Sequence, residues 1–101
     1  MMDKYAHITK MENIMVQQNE ILKELNQLLD TLDAQHEDYK NLLAYYYSKQ
    51  RAQDLEDDSN HLIPANLHRG VLSEDEIFDL IGEYRDTALR MLELAVQMIK
   101  T

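Results

Sequence analysis

The stretch ITKMENIMVQQNEILKELNQLLDTLDAQHEDYKNLLAYY, residues 8–46, decides the fold. Placing Ile8 at position a of a heptad puts Met15, Leu22, Leu29, His36 and Leu43 in the same row. Met11, Gln18, Leu25, Leu32, Tyr39 and Tyr46 then fall at d, and Ile14, Ile21, Leu28 and Leu42 at g. Apolar residues recurring at this spacing lie on one face of an α-helix, and three adjacent rows make that face wide enough to touch two neighbouring helices. Neither Gly nor Pro interrupts the run. The pattern predicts one helix over about residues 3–48, roughly 69 Å long at 1.5 Å per residue. Its weak point is residues 33–38, where Gln35 and His36 put polar groups into the g and a rows, and a kink or break there is the alternative to a continuous helix.

Working outward, residues 49–72 lose the heptad pattern and form the expected connection. Within it, Pro64 to Arg69 has the composition of one short helical turn, with Pro64 at its first position and Gly70 as a left-handed residue just past its end. Ser73-Glu74-Asp75-Glu76 then has the form of a capping box, in which the Ser73 hydroxyl and Glu76 carboxylate each satisfy the other residue's backbone amide. A second long helix is predicted over 73–100, with its stripe running from Ile77 and Leu80 through Tyr84 and Met91 to Ile99. Gly82 lies inside it, where glycine costs about 1 kcal/mol relative to Ala, so close packing or a bend is expected there.

These elements make one all-α domain of 101 residues: a long N-terminal helix packed antiparallel on a C-terminal one, as a hairpin or three-helix bundle. The second helix, about 42 Å long, is too short to cover the first. Ile8, Met11, Ile14 and Met15 are therefore the candidate interface of a homodimer.

Composition narrows the function. The chain carries 19 acidic and 10 basic side chains, a net charge of −9, and no cysteine. Disulfides, thiolate metal sites and a cysteine nucleophile are thereby excluded. The charge is concentrated between Asp54 and Asp86, where ten acids face only Arg69 and Arg85. Binding to nucleic acid or to an anionic membrane needs a basic face, and the best cluster available is Lys49, Arg51 and the distant Arg69. No apolar run reaches the ~20 residues of a membrane span, and the N-terminal residues have no apolar signal-peptide region, so a cytoplasmic protein is expected.

Catalytic and metal constellations find little support. The Asp54-Leu55-Glu56-Asp57-Asp58 run resembles the start of a calcium loop, but Ser59 and Ala65 stand where Gly and Glu are required. His7, His36, His61 and His68 form no ligand motif, and two isolated glycines cannot cradle a phosphate. The expectation is a non-enzymatic protein with no metal or cofactor. Tyr45, Tyr46 and Tyr47 are the most unusual local feature. Successive helical residues are ~100° apart, so the three cannot share one face. Tyr46 continues the d row with its hydroxyl reaching an edge partner, and Tyr45 and Tyr47 point toward the connection or toward a binding partner.

Several strings together carry a family resemblance: Tyr45-Tyr46-Tyr47-Ser48, Asp54, Ile63-Pro64, Arg69 to Asp75 (RGVLSED), and Arg90 to Ala95 (RMLELA). They resemble a small bacterial family, the domain of unknown function 4298, over essentially the whole chain. The chain departs from that pattern in having no Trp near Arg51. The resemblance implies a helical fold and a bacterial origin, and brings no activity with it. The functional expectation is therefore a protein-interaction module with an unidentified protein partner. Its candidate surface is Tyr45, Tyr47, Asp54, Glu56, Asp57, Asp58 and Arg69, with Arg69 pairing to Asp54 or Asp57. An acidic inhibitor that occupies a basic site on its target is the alternative, because clustered carboxylates imitate phosphates.

Overall fold

The computed structural model describes residues 4–101, and the described residues contain helices and no strand. The order is α1 (Ala6–Ala34), α2 (His36–Tyr46), α3 (Lys49–Ser59), a 3-10 turn (Gly70–Leu72) and α4 (Glu74–Lys100). The fold is all-α. The chain divides into two compact units, one ending at Asn41 and one running Leu42–Thr101.

In the first unit the helix is interrupted once, at Gln35, inside the polar stretch that weakens the heptad rows. There φ is −93° and ψ is 2°, yet Gln35 N–H still donates to Thr31 O (3.1 Å) and Tyr39 N–H to Gln35 O (3.1 Å). The hydrogen-bond ladder thus crosses a single irregular residue. No residue of α1 is buried, and only Leu25 is half-buried. Ile8, Met11, Ile14 and Met15 are 43–55% exposed, so the apolar rows stand open to solvent.

The second unit holds a small core. Ile77 is its one buried apolar residue, at 3% exposure, with half-buried Leu42, Leu43, Ile63, Leu72 and Ile81 in the same unit. The 3-10 turn packs on both α3 and α4. Helix α3 corrects the expected non-helical connection over 49–72. Its sequence KQRAQDLEDDS has almost no apolar stripe, so periodicity could not announce it.

Local hydrogen bonds hold α3 instead. The Ser48 hydroxyl accepts from Arg51 N–H (3.1 Å) at the start and itself donates to Tyr45 O (2.6 Å), so one side chain closes α2 and opens α3. Gln50 bonds Asp54 (2.8 Å) and Gln53 bonds Asp57 (3.0 Å), each one helical turn on. At the end, His61 adopts the left-handed conformation (φ 58°). His61 N–H then donates to Asp58 O and Leu62 N–H to Asp57 O, satisfying the last carbonyls.

Three further expectations change here. The left-handed residue is His61, and no described glycine has a positive φ. Pro64 opens only a turn, closed by Leu67 N–H to Pro64 O (3.1 Å), and the short helix lies at Gly70–Leu72 rather than 64–69. The capping box is half made. Ser73 Oγ accepts from Glu76 N–H (3.3 Å), but Ser73 N–H donates to Gly70 O (3.0 Å), which leaves the Glu76 carboxylate elsewhere. That carboxylate lies 2.6 Å from where a Cβ on Gly70 would be, a contact that the flexible Glu76 side chain can relieve by moving.

Gly82 does not break α4, which runs Glu74–Lys100, and it packs against nothing: an added Cβ would meet no atom within 4 Å. Gly82→Ala should therefore stabilise the protein by about 0.5–1 kcal/mol, through lower entropy of the unfolded chain and better helix propensity. A rise in the thermal midpoint checks this; a fall would show that another chain approaches α4 at this point.

Candidate functional site

The α2–α3 corner and the start of α4 converge on Arg51. Ser48 caps α3 and so turns Arg51, three residues on, into the interior of the second unit. Arg51 is only 6% exposed, an unusual place for a guanidinium. Its Nε donates to Val71 O (3.1 Å), twenty residues away in the 3-10 turn. Its guanidinium lies 4.7 Å from the centroid of the Tyr46 ring, within cation–π range. Nη2 lies 3.5 Å from Glu74 Oε2, an ion contact rather than a hydrogen bond, so Nη2 is buried without a hydrogen-bond partner among the described residues. Tyr46 completes the ring of contacts by donating its hydroxyl to Glu74 Oε1.

A second cluster lies beside it. Tyr45 OH donates to Asp54 Oδ2 (2.6 Å), and Gln50 Nε2 donates to Asp54 Oδ1 (2.8 Å). Tyr45 and Asp54 also line a cavity of about 320 Å³ with Ile63, Pro64, Leu67 and Leu72. A neighbouring apolar hollow of similar volume is lined by Leu42, Val71, Ile77 and Leu80, and His68 borders both.

The titration behaviour follows from these contacts. Burial, then the bond to Asp54, pushes the Tyr45 phenol above its ordinary value. The bond to Glu74, then burial, does the same for Tyr46. The bonds donated by Tyr45 and Gln50 hold the Asp54 carboxyl below the usual range.

Most of the surface expected for a partner is thus occupied internally. Tyr45 and Asp54 are bonded to each other, and Asp57 accepts from Gln53. Arg69 pairs with Asp58 (2.6 Å), not with Asp54 or Asp57, because the left-handed turn at His61 brings the chain back along the end of α3. Glu56 is exposed on α3. Tyr46 has its expected edge partner in Glu74, and Tyr47 is 79% exposed, stacked on Tyr46 at 4.8 Å. Arg51 is the residue that sequence reasoning missed. It counts there as one charge of a basic cluster, and the only local signal for it is its place three residues after a capping serine. A further acidic feature emerges on α4, where Asp75, Asp79, Glu83 and Asp86 share one exposed face at i, i+4, i+8 and i+11. No group of three or more His, Asp or Glu among the described residues is placed to hold a metal ion. No described helix is long and apolar enough to cross a membrane.

Loss of the Arg51 contacts would leave the Val71 carbonyl and the Tyr46 face without their partner. Arg51→Met should destabilise the protein by ~2 kcal/mol in chemical denaturation, with most of the loss from the Val71 bond and ring packing, since Glu74 is exposed. The pH dependence has two edges. Asp54 is held low, so its contribution is present above the unfolded value of about 3.9 and is lost as pH falls through the folded value. Tyr45 and Tyr46 are raised, so theirs is present below about 10 and is lost as pH rises through the folded values. Ultraviolet titration should show two late-ionising phenols, and Glu74→Gln should return one of them toward the ordinary value.

The family model described as Domain of unknown function (DUF4298) matches residues 8–94. No curated protein and no solved structure matches the chain.

Proposed function

We propose that this chain, which belongs to the family of domain of unknown function 4298, is a self-associating protein-interaction module of the bacterial cytoplasm with no catalytic activity of its own. The observation that carries this reading is the open apolar face of α1. Ile8, Met11, Ile14, Met15, Ile21, Leu22, Leu28, Leu29 and Leu32 are each 38–68% exposed along one side of a 29-residue helix. Contiguous apolar surface of this extent on a soluble chain marks an interface. The second unit supports the reading through its polar groups, which are spent on each other at Arg51–Glu74–Tyr46 and Tyr45–Asp54 rather than gathered around a reacting centre.

The acidic row Asp75, Asp79, Glu83 and Asp86 favours a second surface, for a basic protein partner. Like charges one turn apart destabilise a helix by a few tenths of a kcal/mol per pair, and a basic partner relieves this. The acidic inhibitor is the form of this reading in which the partner's basic site is its active site or nucleic-acid channel. Tyr47 offers an exposed aromatic beside α3 for an interface that does not depend on charge.

Sedimentation equilibrium tests self-association: twice the 11.9 kDa protomer mass is expected, falling to one protomer for Ile14→Asp with helicity retained. A monomer at every concentration contradicts the proposal. For a captured partner, affinity that falls steeply above ~0.15 M salt assigns the acidic row. Salt-insensitive binding lost in Tyr47→Ala assigns the aromatic surface.

A further inference from the structure

We infer that the open face of α1 is covered by α1 of a second copy running antiparallel, in the register where the paired residue numbers sum to 40. This rests on the self-association proposed above and adds its geometry.

Helix α1 runs Ala6–Ala34, so its midpoint is residue 20. In an antiparallel pair each a residue faces a d residue of the other helix. With a at Ile8, Met15, Leu22 and Leu29 and d at Met11, Gln18, Leu25 and Leu32, the layers summing to 40 are Ile8 with Leu32, Met11 with Leu29, Met15 with Leu25, and Gln18 with Leu22. Every core residue of the helix finds an opposite number, and both ends of α1 finish level. A shift by one heptad keeps the a-to-d matching but leaves a turn or more of each copy uncovered. The regular run of α1 stops at Gln35, where its apolar rows are symmetric about their own centre, and the register that sums to 40 uses all of it.

The polar residue in the rows points to a second copy rather than to some other apolar helix. Gln18 is the one polar side chain at a or d within α1. In this register the two copies of Gln18 lie on either side of the two-fold axis, about 6 Å apart along the helix direction, close enough for their amides to bond each other. An unrelated apolar partner would leave that amide unsatisfied at a cost of ~1–3 kcal/mol.

Charge then selects the direction. In residues 4–20, Lys4 and Lys10 balance Glu12 and Glu20, whereas in 21–34 Glu24, Asp30 and Asp33 outweigh Lys23. A parallel pair stacks the two acidic halves on each other and aligns the helix dipoles, while the antiparallel pair sets each acidic half beside a balanced one and opposes the dipoles. The a, d, e and g positions supply roughly 16 residues a side over a length of ~43 Å, the scale of a small but specific interface.

The chain has no cysteine, so introduced thiols report this geometry without background. Met11→Cys and Leu29→Cys are prepared separately as full-length chains, mixed, and equilibrated in a glutathione redox buffer. Mass spectrometry then separates the two self-disulfides from the mixed one. Opposing core positions lie near disulfide distance, whereas in the antiparallel pair each cysteine is ~27 Å from its own copy. The mixed disulfide should exceed either self-disulfide by about tenfold or more. Abundant self-disulfides in the unmixed variants would show a parallel pair. A dimer with neither product would show another register or another face at the interface. Both of these overturn the inference and leave self-association standing, whereas a monomer mass for both variants and the unsubstituted chain removes the underlying reading as well.

Discussion

The buried guanidinium of Arg51 is the constraint around which the second unit is built. A unit with one buried apolar residue, Ile77, has little hydrophobic core to hold its helices in place. Arg51 compensates by touching three elements at once: the 3-10 turn through Val71 O, α2 through the Tyr46 ring, and α4 through Glu74. A flat, delocalised cation suits this position, because it can stack on an aromatic face while its edge donates to a carbonyl and meets a carboxylate. Glu74 in turn sits where α4 begins, at the positive end of the helix dipole, so one carboxylate serves both the helix start and the clamp.

The first unit follows a different logic. Helix α1 is long, straight in its pattern and regular in its rows, and nothing in it is buried. Its stability as a chain by itself comes from helix propensity and local pairs, which in water sustain long helices only marginally. The face that ought to carry the packing energy is intact and unused. One chain thus joins a unit closed by polar contacts with one whose apolar rows are exposed.

The elements that were legible in the sequence are those with an apolar stripe or a strong local signal. The heptad rows mark α1 and α2, and the polar residues at Gln35 and His36 mark the break between them. Ser73 with Glu76 marks the start of α4, although only the hydroxyl half of that cap forms. Helix α3 was not legible, since its support is a capping serine, two glutamine–aspartate bonds and a left-handed histidine rather than a stripe. Gly70 misled for a related reason: a glycine after a short turn suggests a left-handed residue, and here that conformation falls to His61 instead.

The sequence by itself determined that this protein is helical, where its long helices lie, that its acids crowd residues 54–86, and that α1 carries an apolar face wider than a single seam. These properties depend on periodicity and composition, which act over a few turns of one helix. Only the tertiary structure decided which acids are already spoken for. It paired Arg69 with Asp58, Tyr45 with Asp54 and Tyr46 with Glu74, and it drew Arg51 from the surface into the interior. Pairings such as Tyr46 with Glu74 and Arg51 with Val71 join residues a score or more apart, and they depend on how the chain turns at Ser48, His61 and Gly70. No local pattern encodes those turns together. Tertiary contacts therefore decide which of the charges become structure and which remain surface.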